Sequence, residues 1–163
     1  MANIHKTLAH NHKVRFLSLP YLNTAVARPR IGGLSGTTVE TVHKIIIGIV
    51  DDDPVMRQAL TALLSTLGYC VQSYASAAEF LAVAATTEAA CLILDIQLGA
   101  VSGIELARQL AASGSNFPII FMTGSDDELF WLRAMDVGAV AFLLKPFPVE
   151  DLTSALSKAM GSR

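Results

Sequence analysis

Leu92-Ile93-Leu94-Asp95, preceded by Ala89-Ala90-Cys91 and followed by a loop carrying Gly99 and Gly103, decides the fold. A short apolar run with no polar alternation reads as a strand buried on both faces, the mark of a parallel sheet. It ends in a single carboxylate, and the carboxyl ends of the strands are where open α/β sheets bind ligands. Three other apolar runs also end in polar groups. Ile45 to Val50 runs into Asp51, Asp52 and Asp53, Ile119 to Met122 into Thr123, and Ala139 to Leu144 into Lys145. If these strands are parallel neighbours, carboxylates, a hydroxyl and an ammonium meet on one small patch.

Helical signals fill the intervals. Asp53-Pro54 supplies an N-cap followed by proline at the first helical position. Met56, Leu60, Leu63, Leu64 and Leu67 then mark one helical face, and Gly68 closes it. Tyr69 to Tyr74 reads as the second strand. Ser76-x-x-Glu79, Ser102-x-x-Glu105 and Ser125-x-x-Glu128 are capping boxes in phase with the strands, each predicting a helix start. A last helix begins near Pro148, with Leu152, Ala155, Leu156 and Ala159 on its apolar face. Five strands alternating with five helices, joined by right-handed crossovers, give a doubly wound parallel sheet in a three-layer α/β/α sandwich.

The chain of 163 residues is long enough to bury one stable core. Its hydrophobic content of 52% suits a sheet covered on both faces, and no apolar run reaches the roughly 18 residues of a membrane span. The expectation is a soluble, cytoplasmic protein. Charge is unevenly spread. Residues 1–44 carry six basic groups (Lys6, Lys13, Arg15, Arg28, Arg30, Lys44) against Glu40 alone, a net +5, and the remainder carries −7. The division is therefore a basic arm over 1–44, expected to be mostly disordered, and an acidic globular domain over 45–163. Within the arm, Phe16 to Leu22 imitates the core of a secretory signal, but Pro20 and Asn23 break it. His5, His10 and His12 read as incidental histidines, and the scattered cations make a weak nucleic-acid footprint. Cys70 and Cys91 read as small apolar core residues.

Four blocks together resemble the receiver domain of two-component response regulators: Ile49-Val50-Asp51-Asp52-Asp53-Pro54, Leu92-Ile93-Leu94-Asp95 with Ser102-Gly103, Phe121-Met122-Thr123-Gly124, and Phe142-Leu143-Leu144-Lys145-Pro146-Phe147. Tyr74-Ala75-Ser76-Ala77-Ala78-Glu79-Phe80-Leu81 narrows the resemblance to FixJ-like receivers. The resemblance implies a flavodoxin-like sheet of strand order 2-1-3-4-5 and a phospho-accepting role in a phosphorelay. It implies that Asp95 is the phospho-acceptor, and that Mg²⁺ is held by Asp51, Asp52, Asp95 and the backbone carbonyl of Gln97. Lys145 and Thr123 would contact the phosphoryl oxygens, and Thr123 with Phe142 would form the switch. Implied partners are a histidine kinase or phosphotransfer protein, an unknown downstream protein, and a second copy through the fourth helix, fifth strand and fifth helix, including Phe130, Trp131 and Arg133. The Lys145-Pro146 bond is commonly cis in the family.

Bland readings stand beside these. Asp53 serves as a helix cap, Asp95 could cap a turn, Lys145 could be an exposed cation, and Phe142 could be ordinary core. Two departures from the FixJ-like pattern are also present. Leu98-Gly99 stands where a Met-Pro pair is usual, and no helix-turn-helix effector is expected before the end at Arg163. A pseudo-receiver or truncated regulator that keeps the fold without phosphotransfer is the alternative function. A flavin- or nucleotide-binding enzyme is disfavoured, since no glycine-rich phosphate loop follows the first strand. No enzymatic activity is expected beyond the chain's own aspartyl phosphorylation and dephosphorylation.

Overall fold

Pro54 lacks the N–H that a first helical turn leaves unpaired, and Asp53 caps that turn by accepting from the Val55 N–H at 2.8 Å. The helix that follows, and every later element, is seen in a computed structural model that describes residues 14–16 and 44–161. In chain order the elements are β1 (Val14–Phe16), β2 (Ile46–Val50), α1 (Pro54–Thr66), β3 (Cys70–Tyr74), α2 (Ala77–Leu81), β4 (Cys91–Asp95), α3 (Gly103–Ala112), β5 (Ile119–Thr123), α4 (Glu128–Asp136), β6 (Ala141–Leu144) and α5 (Val149–Ala159).

The sheet runs β1-β6-β5-β4-β2-β3. Pairings from β3 across to β6 are all parallel, and they reproduce the expected order of the five principal strands. β4 and β5 are buried at every residue, which is why they read as unbroken apolar runs. Successive side chains alternate between two cores. Leu92, Leu94, Phe121 and Phe142 pack with Phe80, Ile104, Leu110 and Ala134 from α2, α3 and α4. Cys91, Ile93, Ile120, Met122 and Leu143 pack with Leu60 and Leu64 of α1 and Leu152, Ala155 and Leu156 of α5. At about 1.5–3 kcal/mol for each large apolar side chain fully buried, these two layers fix the strand register.

Two expectations change. The sheet has six strands, not five, because Val14–Phe16, within the basic arm, adds an antiparallel strand beside β6. The arm's other expected features, among them the signal-like Phe16 to Leu22 stretch beyond Phe16 and the three histidines, lie outside the described residues. Second, the capping box at Ser125 does not open α4. Asp127 is the N-cap, accepting from the Leu129 N–H at 2.9 Å, while Ser125 Oγ accepts from the Asp127 N–H. Ser76 and Ser102 do cap α2 and α3 as expected. Among the described residues no helix is long and apolar enough to cross a membrane.

Candidate functional site

β2 and β4 are adjacent and parallel, with Val50 opposite Leu94, so the next residues, Asp51 and Asp95, leave the sheet side by side. Asp51 is 0% exposed and Asp95 7% exposed, whereas Asp52 lies in solvent. One carboxylate oxygen from each of Asp51, Asp52 and Asp95 falls within 4.8 Å of the others, a group able to hold a metal ion. Hard divalent cations favour such all-oxygen sets.

Lys145 follows β6 by one residue and reaches back across the sheet. Its Nζ donates to Asp51 Oδ2 at 2.9 Å and to Asp95 Oδ2 at 3.1 Å. Its own N–H donates to the Thr123 carbonyl at 2.7 Å, tying the ends of β5 and β6 together. The Lys145-Pro146 peptide is cis. Thr123, fully buried at the end of β5, accepts from the Ser125 N–H through Oγ1 at 3.1 Å.

Burial pushes the Asp95 carboxyl above its ordinary range, and the opposing pull of Lys145 does not cancel this. Burial likewise disfavours the Lys145 ammonium, but the hydrogen bond to Asp51 and the charges of Asp95 and Asp51 outweigh it, leaving Lys145 raised. The site thus holds a firmly protonated cation beside one carboxylate, Asp95, that carries a desolvation cost.

The backbone around these groups is equally particular. A Cβ at Gly103 would lie 2.1 Å from the Asp95 carbonyl oxygen, so only glycine lets the start of α3 approach β4 this closely. Asp95 Oδ1 accepts from the Gln97 N–H at 3.3 Å, and Asp51 Oδ1 from the Asp53 N–H at 2.8 Å. Gly99 has φ +70°, with a built Cβ 3.9 Å from Asp52 Oδ2. A cleft of about 620 Å³ opens here, lined by Asp52, Asp95, Gln97, Leu98, Gly99 and Phe130 among others.

Of the residues singled out in the sequence, Asp51, Asp52, Asp95 and Lys145 come together directly, with Thr123 at the adjoining strand end. Gln97 meets Asp95 through its N–H. Phe142 lies three residues before Lys145 on β6, buried in the core shared with Phe130, Trp131 and Ala134. Arg57 was missed. Its Nη1 donates to the Asp51 carbonyl at 2.7 Å, and its place in the first turn after Asp53-Pro54 was the available signal.

Comparison with known proteins gives a consistent answer. The family model described as response regulator receiver domain matches residues 47–157. The response regulator protein TmoT of Ectopseudomonas mendocina is 38% identical over 115 residues, covering 71% of this chain and 52% of TmoT. The transcriptional regulatory protein FixJ of Bradyrhizobium diazoefficiens is 37% identical over 114 residues, 70% of this chain and 56% of that protein. A crystal structure of FixJ-N superposes with a TM-score of 0.69 at 33% identity, covering 74% of this chain and 96% of FixJ-N. The chain spans about half the length of these curated relatives.

Proposed function

The chain belongs to the response regulator receiver domain family of two-component signalling, and from that premise we propose that Asp95 accepts a phosphoryl group with Mg²⁺ in the acidic cluster. The observation that carries this reading is the meeting of three carboxylates within 4.8 Å with an ammonium 3.1 Å from Asp95.

Asp51, Asp52, Asp95 and the Gln97 carbonyl would hold the ion, which when bound supplies positive charge against the carboxylate and the incoming phosphoryl oxygens. The donor is a phosphohistidine of a kinase or phosphotransfer protein. A carboxylate oxygen of Asp95 forms the new bond to phosphorus as the phosphorus–nitrogen bond breaks, and the imidazole leaves with the electron pair. Water later hydrolyses the acyl phosphate and regenerates the carboxylate. Lys145 transfers one of its N–H donors from Asp95 to a phosphoryl oxygen. The Thr123 hydroxyl already accepts from Ser125 N–H and keeps its proton to donate to another. Catalysis here is positioning and charge stabilisation, and no further acid or base is required.

As Thr123 turns toward the phosphate it vacates space beside β6, and Phe142 moves into it. Phenylalanine has no hydroxyl, so this switch acts by packing alone. The output is protein–protein contact through α4, β6 and α5, including self-association.

Incubation with a small phosphodonor and Mg²⁺ tests the reading by intact mass. One phosphoryl group is expected on the parent chain and none on Asp95→Asn. Absence of phosphate on the parent, or equal labelling of the two, overturns it and leaves an interaction module that keeps the fold without phosphotransfer.

A further inference from the structure

Without β1, β6 would be the last strand of the sheet, and its outward N–H and C=O groups would form an open template for another strand. Val14–Phe16 fills that edge antiparallel, with Val14 opposite Leu143, Arg15 opposite Phe142 and Phe16 opposite Ala141. Neighbouring side chains of an extended segment point to opposite faces. Val14 accordingly joins the core beside α1 and α5, and the Phe16 ring lies 4.8 Å from Nζ of Lys158 on α5. Arg15 points the other way, its guanidinium 5.1 Å from the Trp131 ring on α4. Three residues therefore strap together both helices that flank β6.

The strap is weakly held. Among the described residues it is three residues long, Phe16 remains 42% exposed, and cation–π contacts at partly exposed sites are weak. Nor does it complete the face. Among the described residues the buried indole N–H of Trp131 has no acceptor, and Leu132 and Met135, one and four residues along α4, are 45% and 37% exposed. The chain between Phe16 and Lys44, residues 17–43, has ample length for the strap to leave and return. β1 and β2 are four strand spacings apart, about 19 Å.

We propose that the β6 edge is a strand-addition site occupied in cis by Val14–Phe16, and that this occupancy keeps the edge from pairing with the β6 edge of a second copy of the chain. Antiparallel pairing of one β6 with another is self-complementary about a two-fold axis. It would bury the exposed Leu132 and Met135 and offer acceptors to Trp131 Nε1. The proposal deepens the self-association reading above. Its test omits phosphodonor and Mg²⁺, so it reads the strap whether or not Asp95 accepts phosphate.

The full chain is compared with Arg15→Glu/Phe16→Ser and with Arg15→Lys, which keeps the cation. Three readouts apply: amide hydrogen exchange over residues 139–145, iodide quenching of Trp131, the single tryptophan, and mass by light scattering across a wide concentration range. The parent and Arg15→Lys are expected to be monomers with slow exchange in β6. The double variant is expected to exchange about tenfold faster there when dilute, to quench more readily and to dimerise as concentration rises. A synthetic peptide of residues 11–19 should return it to monomer. A double variant that stays monomeric throughout, one whose dilute exchange and quenching match the parent, or a dimeric parent each overturns the proposal.

Discussion

The ends of the strands and the outer edge of β6 are two regions of one sheet held in place by very different means. Asp51, Asp95 and Lys145 extend from strands whose residues are almost all buried, so the core fixes the backbone that carries them. Val14–Phe16 rests on one antiparallel pairing, the partly buried Val14 and two ring–cation contacts, and most of it faces solvent. The site's geometry follows from the fold itself. The edge strand lies outside residues 47–157, the span of the receiver-domain match, which makes the first suited to fixed chemistry and the second to regulated contact.

The largest expected effect tests the first half of that contrast. Lys145→Met leaves Asp51 and Asp95 facing each other in a buried setting without the ammonium that bridges them, and stability should fall by about 3 kcal/mol in urea unfolding. Mg²⁺ should recover more of that loss in the variant than it adds to the parent, because a bound cation replaces the missing ammonium. The strap variant Arg15→Glu/Phe16→Ser should cost only about 1 kcal/mol when dilute. Equal losses in the two variants would remove the distinction between a determined site and a contingent edge.

A smaller effect sharpens the same point through pH. Burial raises the Asp95 carboxyl above its ordinary value of 3.8, so the folded chain binds that proton more tightly than the unfolded one. Folding stability from this group therefore falls as pH rises from 3.8 through the raised value, the reverse of an ordinary salt-bridged aspartate. In chelator, the stability difference between the parent and Asp95→Asn should shift in favour of the variant as pH rises across this window. A difference that is flat, or that shifts toward the parent, would mean that Lys145 outweighs burial.

These two regions also differ in how far the sequence discloses them. A strand buried on both faces is an uninterrupted apolar run, and a polar residue directly after it can be assigned to the sheet's carboxyl edge by counting. Asp51, Asp52, Asp95, Thr123 and Lys145 were legible for that reason. β1 was not, because Val14-Arg15-Phe16 is too short for a period, carries a cation at its centre, and pairs with residues more than a hundred positions away. Backbone participation was hidden as well. Nothing in the letters says that Gln97 meets Asp95 through its N–H, or that Gly103 is required by the Asp95 carbonyl close to where its Cβ would lie.

The start of α4 shows the same limit at the scale of one hydrogen bond, and it supplies the smallest prediction. Ser125-x-x-Glu128 has the form of a capping box, but so does any serine three residues before a glutamate, and Asp126 and Asp127 are equally able to cap. What decides among them is where the chain turns after β5. Thr123 Oγ1 takes the Ser125 N–H, Ser125 Oγ takes the Asp127 N–H, and the helical turn begins only beyond Asp127, whose Oδ1 takes the Leu129 N–H. The cap therefore lies two residues later than the letters suggest, and the serine is a relay between the buried threonine and the helix. Asp127→Ala should cost about 1 kcal/mol, since it also removes a negative charge from a helix N-terminus, while Ser125→Ala should cost a few tenths. Urea midpoints of the two variants check the order. If Ser125→Ala proves the costlier, α4 starts where the sequence pattern put it, and the loop from Thr123 to Asp127 belongs with the contingent parts of the molecule instead of with the strand ends.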